Sequence, residues 1–258
     1  MPDHPLAPLH ALNPTTRFTD RAADYARSRP SYPPEAIDAI LSGLGDPSRL
    51  SAADVGAGTG ISARLLADRG VAVTAVEPNA AMRGAADPHP RVAWVSAAAE
   101  STGLPAHAFD VVLCAQSFHW FRAEDALAEF ARLLRPTGRL ALMWNIRDEA
   151  DEFTRLYGEA INRVSTIDWG RSWKHDVPPL RASPHFRNVR ALRFPYRQRH
   201  AEEDLLRRAM SASYVPKEGP AADQLRRDLQ ALHARHADPD GAVTLVYTTE
   251  LYLADPSA

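Results

Sequence analysis

Three glycines at alternate positions constrain this chain more than any other part of its sequence. The segment ADVGAGTG (53–60) places Gly56, Gly58 and Gly60 between a short apolar run and a helical pattern. Glycine adopts backbone angles that other residues avoid, and it lets a ligand approach main-chain atoms because it has no Cβ. The amide groups exposed where a helix begins favour an anionic or carboxylate-bearing ligand. The segment therefore predicts a strand, a tight ligand-binding turn and a helix.

An acidic residue follows about 20 residues later, where nucleotide-binding α/β proteins place one. The strand-like segment VAVTAVE ends in Glu77, and a carboxylate there can accept hydrogen bonds from both hydroxyls of a ribose. Tight-turn glycines and a surface glutamate would be the simpler explanation. Strand, glycine turn, helix, strand and acid occur here in the order that nucleotide binding requires, so we predict a nucleoside-type cofactor.

The spacing of the glycines also bears on the kind of cofactor. A dinucleotide fingerprint, G-x-G-x-x-G, needs its third glycine at the position of Ile61. The Lys and Ser/Thr of a phosphate-binding loop are absent as well. A cofactor with a ribose but no pyrophosphate fits better, and an NAD(P)-linked oxidoreductase stays open as an alternative.

The rest of the chain alternates between short apolar segments and helical patterns. Five strands are predicted first, in RLSAADVGAG, VAVTAVE, RVAWVSA, FDVVLCA and RLALMWN. Such alternation is typical of a doubly wound α/β fold with a mostly parallel sheet covered on both faces. After Asn145 we expect a helix over about 148–167 and an antiparallel hairpin of the late strands NVRALRFPYRQRH and GAVTLVYTTELYLA. Arg197, Arg199 and His200 of the first late strand are expected to be solvated.

The charge and the apolar content of the sequence limit the kinds of partner that the chain can bind. The 258 residues carry a formal net charge of −2, whereas a nucleic-acid surface needs a dense basic patch. No apolar run approaches the roughly 20 residues that span a bilayer, and the first residues lack the pattern of a signal peptide. Cys114 is the only cysteine, and His4, His10, His107 and His119 are expected in separate loops. We expect a cytoplasmic protein without nucleic-acid, membrane or metal partners, and the oligomeric state stays open.

The segment from Asp54 to Gly60, D-x-G-x-G-x-G at the end of a first strand, resembles the S-adenosylmethionine-binding motif of class I methyltransferases. Further similarity lies in VEPNAAM, AAAESTGLP, FDVVLCAQSFHWF and EFARLLRPTGRLALMWN. Together these segments resemble the methyltransferase type 11 branch, near trans-aconitate methyltransferase-like proteins. The similarity covers most of the chain and implies the cofactor S-adenosyl-L-methionine far more specifically than any substrate.

The resemblance implies a role for each residue that matches a motif. The residues implied to order or line the methionine and ribose sites are Asp54, Gly56, Ala57, Gly58 and Glu77. Those implied to lie around the adenine are Pro78, Met82, Ala98 and Ala99. Ala98 departs from the family, because relatives often carry an Asp there to bond the adenine amine. The backbone at Ala99 would then have to make that contact.

The segment LCAQSFHWF (113–121) leaves a buried strand and carries polar and aromatic groups. The resemblance places Gln116 below the sulfonium of the cofactor. His119 is a candidate catalytic base if the acceptor must lose a proton, or a histidine that only fixes the loop. Trp120 is a candidate wall of the acceptor pocket, with core packing as the alternative, and Phe121 is expected in the core.

Two further segments contain candidate site residues. In the first, Tyr25 and Arg29 would share a helix face near Tyr32. In the family this part folds over the cofactor, so the resemblance implies Tyr25 as a catalytic candidate, Arg29 at the cofactor and Tyr32 at the substrate. The late segment includes Trp173 and, further on, Tyr214 as substrate candidates. Its aromatic and basic residues suggest a flat or anionic acceptor, and packing under a long loop is the alternative.

The expected organisation is one methyltransferase domain over residues 1–258. Residues 1–45 would form an N-terminal arm and lid helices, 46–147 the cofactor-binding core, and 148–258 the acceptor lid and closing strands. The expected reaction is methyl transfer to a small-molecule acceptor, whose reacting group could be a carboxylate, hydroxyl, nitrogen or carbon. A non-catalytic S-adenosylmethionine-binding protein is the second alternative.

Overall fold

The computed structural model describes residues 31–166, 177–212 and 214–257, and within these ranges the chain forms a seven-stranded sheet. In chain order the strands are β1 (Ser51–Val55), β2 (Ala72–Val76), β3 (Val92–Val95), β4 (Phe109–Ala115), β5 (Leu134–Arg147), β6 (Phe186–His200) and β7 (Val243–Pro256). The α-helices of the same ranges are α1 (Pro34–Leu41), α2 (Ile61–Ala67), α3 (Ala80–Gly84), α4 (Ala123–Leu133), α5 (Glu152–Val164), α6 (Pro178–Ala182), α7 (Glu202–Met210) and α8 (Pro220–His236).

The parallel part of the sheet consists of β1 to β5 in the order β3-β2-β1-β4-β5. Its strand order reverses between β1 and β4, so the carboxyl ends of these two strands flank a crevice. Ligands of open α/β sheets bind at such a reversal. The glycine turn follows β1 and the segment LCAQSFHWF follows from β4, so the fold brings the two most informative sequence features to one edge.

The last two strands run in the opposite direction. β7 lies between β5 and β6 and is antiparallel to both. The doubly wound, mostly parallel sheet with an antiparallel C-terminal pair is therefore confirmed. β5 is longer than the predicted segment RLALMWN, because it already pairs at Leu134 with Phe109 before a register shift. Residues 136–138 consequently lie inside the strand.

The expectation that His200 is solvated is wrong. Arg197 and Arg199 are exposed on β6, and Arg199 donates to Asp238 at 2.6 Å. His200, however, is only 8% exposed. It pairs with Val243 as the last residue of β6, and α7 begins two residues later. Burial lowers the pKa of His200 to about 4.

Three hydrophobic clusters hold these layers together. Alternate residues of β1 and β4 enter two different clusters, one on each face of the sheet, as the two-residue period of a strand requires. The third cluster joins α5, α7 and α8 to the first part of β7. Helix α5 begins at Glu152 because the side chain of Asp151 accepts from Thr154 N at 2.8 Å. Of the helices in the described ranges, none is both long and apolar enough to cross a membrane.

Candidate functional site

The glycine turn is held tightly between β1, β2 and the segment after β4. Gly56, Gly58 and Gly60 all have positive φ, of 70°, 58° and 75°. Gly56 N donates to the carbonyl of Val76 at 2.9 Å. A Cβ on Gly56 would come within 2.7 Å of the Ser117 side chain and 2.8 Å of a Phe121 ring atom. Glycine is therefore required at position 56 by conformation and by packing together.

Asp54 ties the end of β1 to helix α2. Its carboxyl group is completely buried, and Oδ2 accepts from the Ser62 hydroxyl at 2.7 Å. Burial raises the pKa of Asp54 to about 7, and the bond from Ser62 opposes this shift. The carboxyl is thus one that gains or loses its proton near neutral pH. Close by in the turn, the buried hydroxyl of Thr59 has no hydrogen-bond partner among the described residues.

Glu77 is bonded directly to the glycine turn. Its Oε2 accepts from Gly58 N at 3.0 Å and its Oε1 from Asn79 N at 2.9 Å. The side chain is 9% exposed, and burial raises the pKa of Glu77. These two bonds use two of about four lone pairs on the carboxylate, so it can accept from further donors. Sequence reasoning assigned Glu77 to a ribose and missed that it also shapes the turn.

The residues expected around an adenine follow β2 and β3. Glu77 N donates to the carbonyl of Val95 at 3.0 Å, which holds the ends of these strands together. The Asn79 side chain caps α3 by accepting from Ala81 N at 2.9 Å and Met82 N at 3.2 Å. Met82 and Ala99 are buried and Ala98 is exposed. Pro78 lies between Glu77 and the cap.

Gln116 directly follows β4 and has an unusual backbone conformation. Its φ is +57°, which a residue with a Cβ rarely adopts, and such strain collects at functional sites. Gln116 N donates to the carbonyl of Met143 at 2.8 Å, and its side-chain Nε2 donates to the carbonyl of Asn145 at 3.3 Å. The sequence contains no sign of this conformation, because it results from the packing of β4 beside β5.

His119 receives a hydrogen bond from a tryptophan. Trp144 Nε1 donates to His119 Nδ1 at 3.4 Å, and the Trp144 side chain is buried. An indole N–H can only donate, so Nδ1 accepts and the proton of the neutral imidazole lies on Nε2. The rings of His119 and Trp120 are 5.0 Å apart, and both residues are half-buried. A role as catalytic base at Nδ1 would require this hydrogen bond from Trp144 to be given up.

Phe121 and Tyr32 both pack on hydrophobic clusters. Phe121 is half-buried against the first cluster, where it makes edge-to-face contacts with Phe118 and Phe130 at ring-centroid distances of 6.4 Å in both pairs, so its predicted packing is found at the edge of the core. Tyr32 is 7% exposed and belongs to the cluster that also holds α1. Tyr214 is half-buried at the third cluster. Three other candidates, Tyr25, Arg29 and Trp173, lie outside the described residues.

Asn145 joins three parts of the chain at this edge and was missed in the sequence. Its Nδ2 donates to the carbonyl of Ser31 at 2.9 Å, and its Oδ1 accepts from Thr249 at 2.6 Å. Its own carbonyl receives the Gln116 side chain. A signal was present, because Glu77, Gln116 and Asn145 are polar residues at or just past the carboxyl ends of predicted strands.

The described residues fit an S-adenosylmethionine-like ligand. Glu77 keeps free acceptor capacity beside the glycine turn, and the buried Thr59 hydroxyl lacks a partner in the same turn. A ligand with ribose hydroxyls and a polar amino-acid end offers suitable donors and acceptors to both.

Comparison with known proteins gives a consistent result. A family profile described as a methyltransferase domain matches residues 53–142. An uncharacterized methyltransferase of Mycobacterium bovis is 41% identical over 150 residues, which is 57% of this chain and only 59% of that relative. An uncharacterized methyltransferase-like protein of Schizosaccharomyces pombe is 30% identical over 207 residues, which is 78% of each chain.

A solved structure described as a type II methyltransferase from Anaeromyxobacter dehalogenans has the same fold. It aligns with a TM-score of 0.67 and 26% identity over 88% of this chain and 97% of that chain. The alignment therefore extends well beyond the residues that match the family profile.

Proposed function

The chain belongs to the class I methyltransferase family, and we propose that it transfers the methyl group of S-adenosyl-L-methionine to a small-molecule acceptor. Glu77 carries this proposal. It is a buried carboxylate that holds the glycine turn through Gly58 N and keeps lone pairs for ribose hydroxyls. That combination favours a nucleoside ligand over a merely structural turn.

The proposed cofactor site follows the carboxyl edge of the sheet. The residues proposed to hold its methionine and ribose parts are Asp54, Gly56, Ala57, Gly58 and Glu77. Those proposed around the adenine are Pro78, Met82, Ala98 and Ala99. Because Ala98 has no polar side chain, the amine of the adenine would have to be recognised by backbone groups near Ala99.

The chemistry needs little from the protein except positioning. When bound, S-adenosylmethionine supplies a methyl group on a positively charged sulfur, which makes the leaving group an activated one. The chain has to align the acceptor with that methyl group and exclude water, and alignment can contribute roughly 7–11 kcal/mol. Gln116, fixed between β4 and β5, is proposed to form the floor of this site.

We assign His119 to orienting the acceptor. Since Trp144 donates to Nδ1, the Nε2–H of His119 can donate to an oxygen or nitrogen of the acceptor. A carboxylate acceptor needs no base, and this arrangement suits it. Trp120, half-buried beside His119, is proposed as a wall of the acceptor pocket, where its ring would also attract a cationic group.

Calorimetry tests the cofactor assignment. We expect the full chain to bind S-adenosylhomocysteine and to bind NAD much more weakly. Replacing Glu77 with Ala should weaken S-adenosylhomocysteine binding by about 1.5–3 kcal/mol, which is roughly 10- to 100-fold, because charge-assisted hydrogen bonds are lost.

The matched control is Glu35→Ala, which removes an exposed glutamate of the first turn of α1 and should leave the affinity unchanged. Tight binding of NAD alone would overturn the assignment in favour of an oxidoreductase. Binding of S-adenosylhomocysteine without turnover of any acceptor would favour a non-catalytic binding protein.

A further inference from the structure

Two arginine side chains near the third hydrophobic cluster have no acidic partner. Arg147 is the last residue of β5 and Arg208 lies in the last turn of α7, and both are half-buried. Among the described residues, no carboxylate lies within ion-pair distance of either one. Arg207, the residue before Arg208, differs in this respect, because it forms ion pairs with Glu203 and Asp204 on the same helix.

Three tyrosines surround these two arginines. The ring of Tyr157, on α5, lies 5.9 Å from the guanidinium carbon of Arg147 and is 1% exposed. The positive charges of Arg208 and Arg147 each favour a lower pKa of the Tyr157 hydroxyl, against the larger effect of burial. Tyr247 of β7 is paired in register with Arg147. The side chains of Tyr247 and Tyr214 raise the pKa of Arg208. We call Arg147, Tyr157, Arg208, Tyr214 and Tyr247 the arginine–tyrosine cluster.

Two polar atoms of this cluster have little hydrogen bonding. The Tyr247 hydroxyl and Arg208 Nε are buried, and apart from the contact of the Tyr247 oxygen with the Arg208 guanidinium they have no hydrogen-bond partner among the described residues. Buried tyrosine hydroxyls normally find a partner. A guanidinium stays charged at any physiological pH, and burying a charge without an opposite one is costly. The Tyr157 phenol stays neutral, since burial raises the pKa of Tyr157. The cluster therefore brings two guanidinium groups and tyrosine hydroxyls together, and no carboxylate of the described residues balances their charge.

The cluster adjoins the proposed methyl-transfer site. Arg147 follows Asn145 by two residues on β5, so their side chains leave the same face of the strand about 7 Å apart. The carbonyl of Asn145 is the acceptor for the Gln116 side chain. A group bound at Arg147 would thus lie close to Asn145, the residue that holds Gln116 at the floor of the proposed methyl-transfer site.

We propose that the arginine–tyrosine cluster binds an anionic group of the acceptor, a carboxylate or a phosphate, remote from the atom that is methylated. The inference rests on the proposed function and adds a substrate class to it. Arg208 and Arg147 would supply planar donor pairs that match an oxyanion, and Tyr247 would add a hydroxyl donor. The bound anion would remove the charge imbalance and fix which end of the acceptor faces His119.

Anion-dependent stability of the full chain, saturated with S-adenosylhomocysteine, tests the inference. Thermal unfolding would be followed with increasing succinate or inorganic phosphate, against sodium chloride at the same ionic strength. We expect succinate, phosphate or both to raise the Tm of the parent protein beyond the chloride control. The more effective anion identifies the oxyanion that the cluster prefers.

Arg207→Met is the matched control, because it removes the adjacent arginine from the same helix. It should keep the anion response, whereas Arg208→Met and Arg147→Met should weaken the apparent anion affinity about tenfold or more. If Arg208→Met does not fold, Tyr247→Phe keeps the packing and removes only the hydroxyl. It should weaken the response as well.

Two results would overturn the inference: no response of the parent protein to either anion, or equal responses of Arg207→Met and the cluster variants. Calorimetry with S-adenosylhomocysteine on the same samples separates this from the proposed function. Cofactor binding without an anion response defeats only the inference, whereas an absence of cofactor binding defeats the proposed function.

Discussion

Asp54 is a carboxyl group that the fold buries completely at the end of β1. Burial raises its pKa from 3.8 to about 7 in the folded chain. Between about pH 4 and pH 7 the Asp54 carboxyl is therefore protonated in the folded state and ionised in the unfolded state. The free energy of unfolding consequently falls as the pH rises through this range. Each pKa unit corresponds to about 1.4 kcal/mol. Because a completely buried carboxyl lowers the stability of the fold near neutral pH, stability alone does not explain Asp54, and a role in shaping the turn is favoured.

We predict that Asp54→Asn removes this pH dependence. From pH 5 to pH 8 the free energy of unfolding of the parent should fall by roughly 3 kcal/mol relative to that of the variant. Urea unfolding at several pH values measures the difference. His200, whose pKa burial lowers to about 4, acts in the opposite direction over part of the range. Comparing variant with parent cancels that contribution, and parallel curves would refute the prediction.

The protonation of His119 can be observed directly. We predict that neutral His119 carries its proton on Nε2, because Trp144 donates to its Nδ1. His107 is an internal comparison with the opposite form, since its Nδ1 lies 2.9 Å from the carbonyl of Leu134 and must donate. Nitrogen-15 NMR of the imidazoles should show the two tautomers in one spectrum. Trp144→Phe should remove the preference at His119 alone, and a protonated Nδ1 in the parent would contradict the assignment.

The turn between β1 and α2 works only in combination with the segment after β4. A Cβ on Gly56 would meet both Ser117 and Phe121, in a backbone conformation that already favours glycine. The Ser117 hydroxyl in turn donates to the carbonyl of Val55 at 3.1 Å. Each segment therefore fixes the position of the other. A substitution that displaces the glycine turn should also displace the proposed floor of the site.

Gly56→Ala tests this coupling. We expect a loss of about 2–5 kcal/mol in the free energy of unfolding, from left-handed strain plus overpacking, and a loss of S-adenosylhomocysteine binding. Gly241→Ala is the matched control, because Gly241 has a φ of +75° but open space around it. It should lose only about 1–2 kcal/mol. Equal losses in urea unfolding would show that the packing contact does not matter.

The same elements show how far sequence reasoning extends. The strands, the glycine turn and Glu77 were predictable because they depend on local periodicity and on residue types with narrow roles. The left-handed Gln116 and the bond from Trp144 to His119 were not, because they result from how β4 packs beside β5. His200 was misjudged because its burial depends on the helix that follows its strand.

The two halves of the sheet meet at Asn145. Its side chain bonds to Ser31 before α1 and to Thr249 on β7, while its carbonyl holds Gln116 from β4. Chain segments separated by more than a hundred residues thus converge beside the proposed site. The strands β1 to β4 precede the proposed cofactor residues, whereas the arginine–tyrosine cluster lies on the end of β5, on β7 and on the helices beside them, so the relative position of the two proposed sites depends on this junction.

We predict that Asn145→Ala loosens the junction without touching the backbone bond to Gln116. It leaves the carbonyl of Ser31 and the buried hydroxyl of Thr249 without their partner, which should cost roughly 2 kcal/mol or more of the free energy of unfolding. Asn162→Ala, on the exposed face of α5, is the control and should change it by less than about 0.5 kcal/mol. Urea unfolding compares the two. If they are equally stable, the halves are held by the β5–β7 pairing alone, and Asn145 serves the ligand rather than the fold.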